Sequence, residues 1–150
     1  MTHAYDRVYL EKARTALARM LDFAVYDLGY ELEDFWNLFL TSGIAERFGS
    51  GDFTLLVGKS GVEIAYAVLD AAGISYQRIA PQYSLDRSEE YWTGWATAYY
   101  QWESGLSFSE ITDVVSITEI LEMYHPFHEM DIRHFVDRMD ELRKENDAEK

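Results

Sequence analysis

Apolar side chains recur at helical spacing along most of the chain, and the densest run lies between residues 88 and 104. Tyr91, Trp95 and Trp102 share one face of this segment, and other aromatic residues fill much of the remaining circumference. A helix that is apolar nearly all round is normally buried among other helices. Ser88 suits the N-cap, and a glycine follows the last turn. We therefore predict a central aromatic helix over 88–104.

The same spacing predicts further helices on both sides of this segment. They cover residues 6–28, 31–41, 60–73, 109–114 and 117–124, with one or two turns at 44–48 and a last helix after Pro126 that ends near Lys144. We therefore predict an all-α fold, a compact orthogonal bundle of about six to seven helices around the central helix. We expect one domain over 1–150, with a flexible tail at 145–150.

Two segments do not follow the helical pattern clearly. Residues 53–57 form a short apolar run, and residues 74–79 alternate like a strand until Pro81 stops the pattern. Periodicity alone cannot distinguish a short buried strand from a buried helical turn. A small two-stranded ribbon beside the helices, formed by these two segments, stays open as an alternative.

Composition places the chain among compact globular proteins. It has 150 residues, of which 48% are hydrophobic and 15% aromatic, and this content favours a packed core over disorder. The absence of cysteine excludes disulfides, thiolate metal sites and cysteine nucleophiles. The first residues lead into a charged amphipathic pattern rather than a signal peptide, and no apolar run approaches the about 20 residues that span a bilayer. We expect a cytoplasmic protein.

The net charge of −14 limits the kinds of macromolecule that we expect the protein to bind. Residues 20–46 and 88–132 contain no Lys or Arg although both stretches are rich in Asp and Glu. Such a field repels phosphate backbones and anionic membranes and attracts basic proteins, although an acidic surface can also serve solubility alone. We therefore expect a basic protein partner, with no direct nucleic-acid or membrane binding. The predicted partner-binding residues are Glu89, Glu90, Glu103, Glu110 and Asp113.

Three histidines near the C-terminal end suggest an alternative, a small metal-binding protein or metal-dependent enzyme. Histidine and carboxylate side chains together can hold zinc or iron. The alternative set is His125, His128, Asp131 and His134. On one helix His128 and Asp131 would share a face, whereas His134 would lie about 120° away. Helix capping and local pairing explain the same residues without a metal.

The other candidate motif is Gly58-Lys-Ser-Gly61, which contains the Gly-Lys-Ser of a phosphate-binding loop. The full loop requires a glycine where Phe53 stands in this chain. Ser60 followed by Glu63 predicts a capping box, and this explains the motif without a nucleotide. No set of nucleophile, base and acid stands out either, so we expect a protein without catalysis of its own and without a cofactor.

The aromatic helix itself has two further implications. Gly94 in its interior disfavours the helix by about 1 kcal/mol relative to alanine, and close approach of another helix is the usual compensation. The aromatic side chains could also line a ligand pocket. If part of that aromatic surface stays uncovered by the chain, a homodimer would cover it.

Segment 87–102, which reads Arg-Ser-Glu-Glu-Tyr-Trp-Thr-Gly-Trp-Ala-Thr-Ala-Tyr-Tyr-Gln-Trp, resembles a family of small, acidic, uncharacterised bacterial proteins. Segments 21–30, 58–65 and 128–132 resemble the same family, so the likeness extends over nearly the whole chain. In the family a proline usually stands where this chain has Glu89, and both residues suit a first helical turn. The family tends to be associated with genes for ADP-ribosyltransferase-like toxins. The resemblance therefore implies an antitoxin or accessory role, and it assigns no catalytic residue.

Overall fold

The computed structural model describes residues 2–82 and 87–149, and within these ranges every regular element is a helix. A short 3-10 helix, Arg7–Tyr9, precedes ten α-helices. Their bounds are α1 Leu10–Tyr26, α2 Leu32–Thr41, α3 Ile44–Gly49, α4 Phe53–Leu56, α5 Gly61–Ala71, α6 Glu89–Ser104, α7 Phe108–Val114, α8 Ile117–Glu122, α9 Tyr124–Phe127 and α10 Ile132–Ala148. The predicted all-α class is confirmed.

The predicted number of six to seven helices is wrong, because the described part of the chain contains ten. The additional elements are short turns of helix with their own starting signals. Asp52 begins α4 by accepting a hydrogen bond from the backbone nitrogen of Thr54 at 3.0 Å. Asp131 separates α9 from α10 because its side chain accepts from the backbone nitrogen of Arg133 at 2.9 Å and caps a new helix.

The alternative of a two-stranded ribbon is also wrong, since no strand occurs in residues 2–82 or 87–149. Residues 53–56 are helical, and the segment after Gly73 has no strand partner. Side chains hold that segment instead. The backbone nitrogen of Ile79 donates to the hydroxyl of Tyr66 at 3.1 Å, and the Tyr66 ring stacks on Tyr76 with centroids 4.9 Å apart.

Helix α6 lies at the centre of the fold, as its aromatic pattern predicts. Ser88 caps it by accepting from the backbone nitrogen of Tyr91 at 3.0 Å, and Gly105 ends it with a φ of 73°. Helix α1 packs along α6, and this contact is the most extensive between any two helices of the described chain. At Gly94 an added Cβ atom would lie 2.6 Å from the carbonyl oxygen of Leu17. The close helix approach expected at this glycine is therefore confirmed.

The segment before α1 packs against the C-terminal end of α6. The indole nitrogen of Trp102 donates to the carbonyl oxygen of Tyr5 at 2.8 Å, and the backbone nitrogen of Ala4 donates to the carbonyl oxygen of Trp102 at 3.0 Å. His3 stacks on the indole of Trp102 with ring centroids 3.8 Å apart. The N-terminal segment thus covers one end of the central helix.

The last helix extends further than the predicted end near Lys144. Helix α10 continues to Ala148, residues 145–148 are helical, and Lys150 lies outside the described residues. Within the described ranges, no helix combines the length and apolar character needed to cross a membrane.

Candidate partner-binding surface

Glu89 and Glu90, two of the five predicted partner-binding residues, lie in the first turn of α6 and contact other parts of the chain. The Oε1 atom of Glu89 is 3.1 Å from Nε2 of His125. Tyr26 donates its hydroxyl to Oε1 of Glu90 at 2.9 Å. Partial burial of the phenol, together with this hydrogen bond, raises the pKa of Tyr26 to about 12. Both carboxylates are therefore engaged by side chains of the protein itself.

Glu103 lies at the opposite end of α6. A rise of 1.5 Å per residue places it about 21 Å from Glu89 along the helix axis. Its Oε1 atom is 3.1 Å from Nη1 of Arg133, and its Oε2 atom is 3.5 Å from Nε2 of His3. The structure thus separates Glu103 from the acids at the start of α6 and gives it Arg133 as a cationic partner.

Glu110 and Asp113 lie together on α7. The backbone nitrogen of Ser107 donates to Oε1 of Glu110 at 3.0 Å, and this hydrogen bond lowers the pKa of the Glu110 carboxyl. Asp113 is exposed. Arg143 of α10 donates to the backbone carbonyl oxygen of Glu110 at 3.3 Å, so one cation borders α7. These two predicted residues therefore present negative charge at the surface.

Helices α2, α7 and α8 carry acidic side chains and no Lys, Arg or His. Hydrogen bonds connect them: the indole nitrogen of Trp36 on α2 donates to Thr112 of α7 at 3.1 Å, and the hydroxyl of Thr118 on α8 donates to Glu33 of α2 at 2.9 Å. These hydrogen bonds place α7 and α8 next to α2, and we call the acids of the three helices together the acidic face. Its members are Glu33, Asp34, Glu110, Asp113, Glu119 and Glu122.

A groove runs beside the acidic face, between α3 and the turn that leads into α7. Two cavities of 310 and 360 Å³ form it, and both are lined by Ala45, Glu46 and Ser107. Among the described residues, the charged side chains along the groove are those of Glu46 and Glu110, both acidic. Gln101 of α6 lines the cavity of 310 Å³ and is 2% exposed. The groove therefore offers negative charge and no basic side chain.

Sequence reasoning did not select Glu46 or Gln101. Glu46 lies within the base-free residues 20–46, and its place in that stretch is a signal that could have identified it. Gln101 is a polar residue in an otherwise aromatic part of α6, and such a residue in a buried helix requires hydrogen-bond partners. Those partners come from distant segments, so the sequence alone could not show which groups they are.

The alternative metal-binding residues do not converge. The ring of His128 stacks on Tyr124 at 4.1 Å between centroids, His125 contacts Glu89, and Asp131 caps α10. His134 lies exposed on that helix. Within residues 2–82 and 87–149, no group of three His, Cys, Asp or Glu side chains comes close enough together to hold a metal ion.

The Gly58-Lys-Ser-Gly61 motif borders an open cleft of 640 Å³ between α1 and the start of α5. Ser60 and Glu63 form the predicted capping box, with the Glu63 carboxylate accepting from the backbone nitrogen of Ser60 at 3.2 Å. A Cβ atom at Gly61 would lie 2.5 Å from the carbonyl oxygen of Ala16. Helix capping therefore explains Ser60, and close packing on α1 explains Gly61.

The start of α6 borders a smaller pocket of 210 Å³. It is walled mainly by aromatic rings, with Arg87 and His128 among the other lining residues. The aromatic residues that line it are Tyr91, Trp92, Trp95 and Tyr124. Part of the aromatic circumference of α6 is thus accessible at this pocket.

Comparison with protein-family models, with curated proteins and with solved structures gave no match to this chain. Its function must therefore be argued from its own residues.

Proposed function

We propose that this protein is an acidic protein-binding module, antitoxin-like and without catalysis of its own, whose acidic face binds a basic protein partner. The observation that carries the proposal is the composition of α2, α7 and α8, which hold six carboxylates and no basic side chain. The net charge of −14 reinforces their field over the whole molecule. A cytoplasmic location accords with this role.

Electrostatic arguments favour this class of partner over the alternatives. A surface of one charge sign steers an oppositely charged protein toward it and accelerates association, while like charge is repelled. Nucleic-acid binding depends on basic side chains that neutralise phosphates, and the acidic face contains none. A basic protein is therefore the class of macromolecule that this surface suits.

The five acids predicted from the sequence contribute unequally to this proposal. Glu103 is paired with Arg133, and pairing within the chain reduces the charge that a partner meets. Asp113 is exposed on a helix without basic residues, and Glu110 lies on the same helix. We therefore assign the main contact to the acidic face and a longer-range contribution to Glu89 and Glu90. The resemblance to a family associated with toxin genes suggests a toxin as the basic partner.

A parallel capture from lysate of the native host tests the proposal. One bait is the unaltered protein, and a second carries Asp34→Asn, Asp113→Asn and Glu122→Gln. A matched control bait carries Asp137→Asn and Asp147→Asn on α10 and Glu149→Gln at the residue that follows this helix. Each altered bait loses three negative charges, so net charge changes equally.

We expect the unaltered and control baits to recover the same basic protein at low salt, in near-stoichiometric amount. The acidic-face bait should recover at least about tenfold less, because it lacks charges that steer and hold the partner. Equal losses with both altered baits would mean that net charge alone matters. Equal recovery by all three baits, or recovery of no basic protein, would contradict the proposal.

A further inference from the structure

The pocket of 210 Å³ at the start of α6, which we call the aromatic pocket, differs in charge from the rest of the surface. Among the described residues, no acidic side chain lines it. The cavities of 310, 360 and 640 Å³ each have at least one glutamate in their lining. Glu89 and Glu90 lie in the first turn of α6 but outside the pocket, and other side chains of the protein engage them. The aromatic pocket is therefore a site without negative charge on a protein of net charge −14.

Contacts among its walls hold the rings of the aromatic pocket in place. The rings of Trp92 and Tyr124 meet edge to face with centroids 6.0 Å apart. The imidazole of His128 stacks on Tyr124 at 4.1 Å between centroids, and its Nδ1 atom donates to the carbonyl oxygen of the same residue at 2.7 Å. Trp92 also meets Phe135 of α10 edge to face at 5.5 Å. A ligand therefore meets walls that are already assembled, which reduces the ordering cost of binding.

Two of the four rings in the lining already carry a guanidinium group. The Cζ atom of Arg87 lies 4.7 Å from the ring centroid of Tyr91, and that of Arg14 lies 3.3 Å from the ring centroid of Trp95. Arg14 is not part of the lining, so its charge acts on the indole from outside the pocket. An aromatic face attracts a cation, but a cation already held there repels a second one. These rings are therefore poorly suited to an ammonium ligand.

The guanidinium of Arg87 is available to an anion. Arg87 is exposed, and no carboxylate of the described residues forms an ion pair with it. A guanidinium presents parallel N–H donors whose spacing matches the two oxygens of a carboxylate. Arg87 thus offers an anchor for a carboxylate at the edge of a cavity whose other walls are mainly aromatic.

We infer that the aromatic pocket binds a small aromatic carboxylate, with its ring among the side chains of the pocket and its carboxylate on Arg87. The volume sets the size of the ligand: an apolar cavity of about 150 Å³ holds benzene, so 210 Å³ accommodates one six-membered ring with a short arm. Offset and edge-to-face contacts with the surrounding rings would hold the ring of the ligand. None of the acids of the acidic face lines this pocket, so the inference does not depend on the proposed function.

Titration of the nitrogen-15-labelled protein with phenylacetate at low salt tests the inference by nuclear magnetic resonance. The chain has four tryptophans, and each contributes one indole N–H signal. We expect the signals of Trp92 and Trp95 to shift. Those of Trp36 and Trp102 serve as references, because these buried indoles donate hydrogen bonds elsewhere in the fold. For a ligand with a single ring we expect a dissociation constant of about 1 mM or lower.

Two further probes separate the contribution of the ring from that of the charge. The 2-phenylethylammonium ion has the same ring with the opposite charge, and acetate has the charge without the ring. Each should bind at least about tenfold more weakly than phenylacetate, because each lacks one of the two contacts.

Arg87→Gln should weaken phenylacetate binding about tenfold, because it removes the charged hydrogen-bond donors. Arg87 is exposed and precedes the N-cap residue of α6, so this variant should stay folded, and unchanged signals of the reference indoles would show it. The matched control is Arg138→Gln, which removes the same charge from α10 outside the pocket and should leave the affinity unchanged.

Three results would overturn the inference. The first is that the signals of Trp92 and Trp95 move no more than the references at about 10 mM phenylacetate, a concentration that should nearly saturate the site. The second is binding of 2-phenylethylammonium as tight as that of phenylacetate, which would indicate a site for cations. The third is an equal loss of affinity in Arg87→Gln and Arg138→Gln, which would mean that net charge alone governs binding. None of these results bears on capture of a basic protein by the acidic face.

Discussion

Replacing Gly94 with alanine tests whether the contact between α1 and α6 sets the stability of the fold. An added Cβ atom would lie 2.6 Å from the carbonyl oxygen of Leu17 and 2.7 Å from the Cα atom of Ala18, whereas ordinary contacts begin at 3.4 Å. Both neighbours are backbone atoms, so no side-chain rotation relieves the clash and the two helices must separate.

Overpacking a dense core costs about 1 to 3 kcal/mol, and a clash with backbone belongs at the upper end of that range. The better helix propensity of alanine offsets about 1 kcal/mol. We therefore expect Gly94→Ala to lower the free energy of unfolding by about 2 kcal/mol, which corresponds to a Tm decrease of about 4 to 8 °C for a chain of this size. Urea unfolding followed by tryptophan fluorescence measures the first quantity, and thermal unfolding measures the second.

Gly73→Ala is the matched control for this variant. Gly73 has a φ of +73° and no heavy atom within 4 Å of an added Cβ atom, so alanine there introduces backbone strain without a clash. That strain should cost about 1 kcal/mol. An unfolding free energy of Gly94→Ala equal to or above that of the unaltered protein would refute the argument from close helix approach.

Two further predictions concern single side chains. Ser116→Ala should lower the free energy of unfolding by about 1 kcal/mol because it removes the N-cap of α8, where Ser116 and Glu119 form a capping box. Chemical unfolding measures this loss. The control is Ser109→Ala at an exposed position of α7, whose free energy of unfolding should differ from that of the unaltered protein by less than about 0.5 kcal/mol. Tyr26 should titrate near pH 12, above its ordinary value of 10.0, because partial burial and the hydrogen bond to Glu90 favour the neutral phenol. Its contribution to stability is present below pH 10 and is lost as pH rises through 12. The ultraviolet absorbance difference between the unaltered protein and Tyr26→Phe measures this titration, and a midpoint near 10 would contradict it.

The parts of the fold that the sequence predicts well are those with local signals. Ser88 and Gly105 mark the ends of α6 in the sequence, and the structure places the cap residues there. The capping box that begins with Ser60 also forms as predicted. In each case the residues that decide the structure lie within a few positions of one another, so spacing alone is informative.

The short helices and the groove could not be predicted in this way. Helix α4 is a single turn of four residues, and a turn of this length depends on tertiary contacts rather than intrinsic propensity. The environment of Gln101 depends on Gly49, which is 52 positions away in the sequence. Likewise, Glu103 meets Arg133 across 30 positions, so its pairing could not be deduced from the charge pattern.

The packing of α1 along α6 has a consequence for synthesis of the protein. Helix α1 ends at Tyr26 and α6 ends at Ser104. The apolar stripe of α1 therefore cannot pack on α6 until the intervening chain has been translated. At about 5 to 20 residues per second this interval lasts roughly 4 to 16 seconds. Helix α1 can contact α5 once residues 61–71 have been made, but it cannot contact α6 before the end of the interval, so nascent chains stay exposed to aggregation or to chaperones. Substitutions that weaken the α1–α6 contact should therefore lower the cellular yield of the protein as well as its stability once folded.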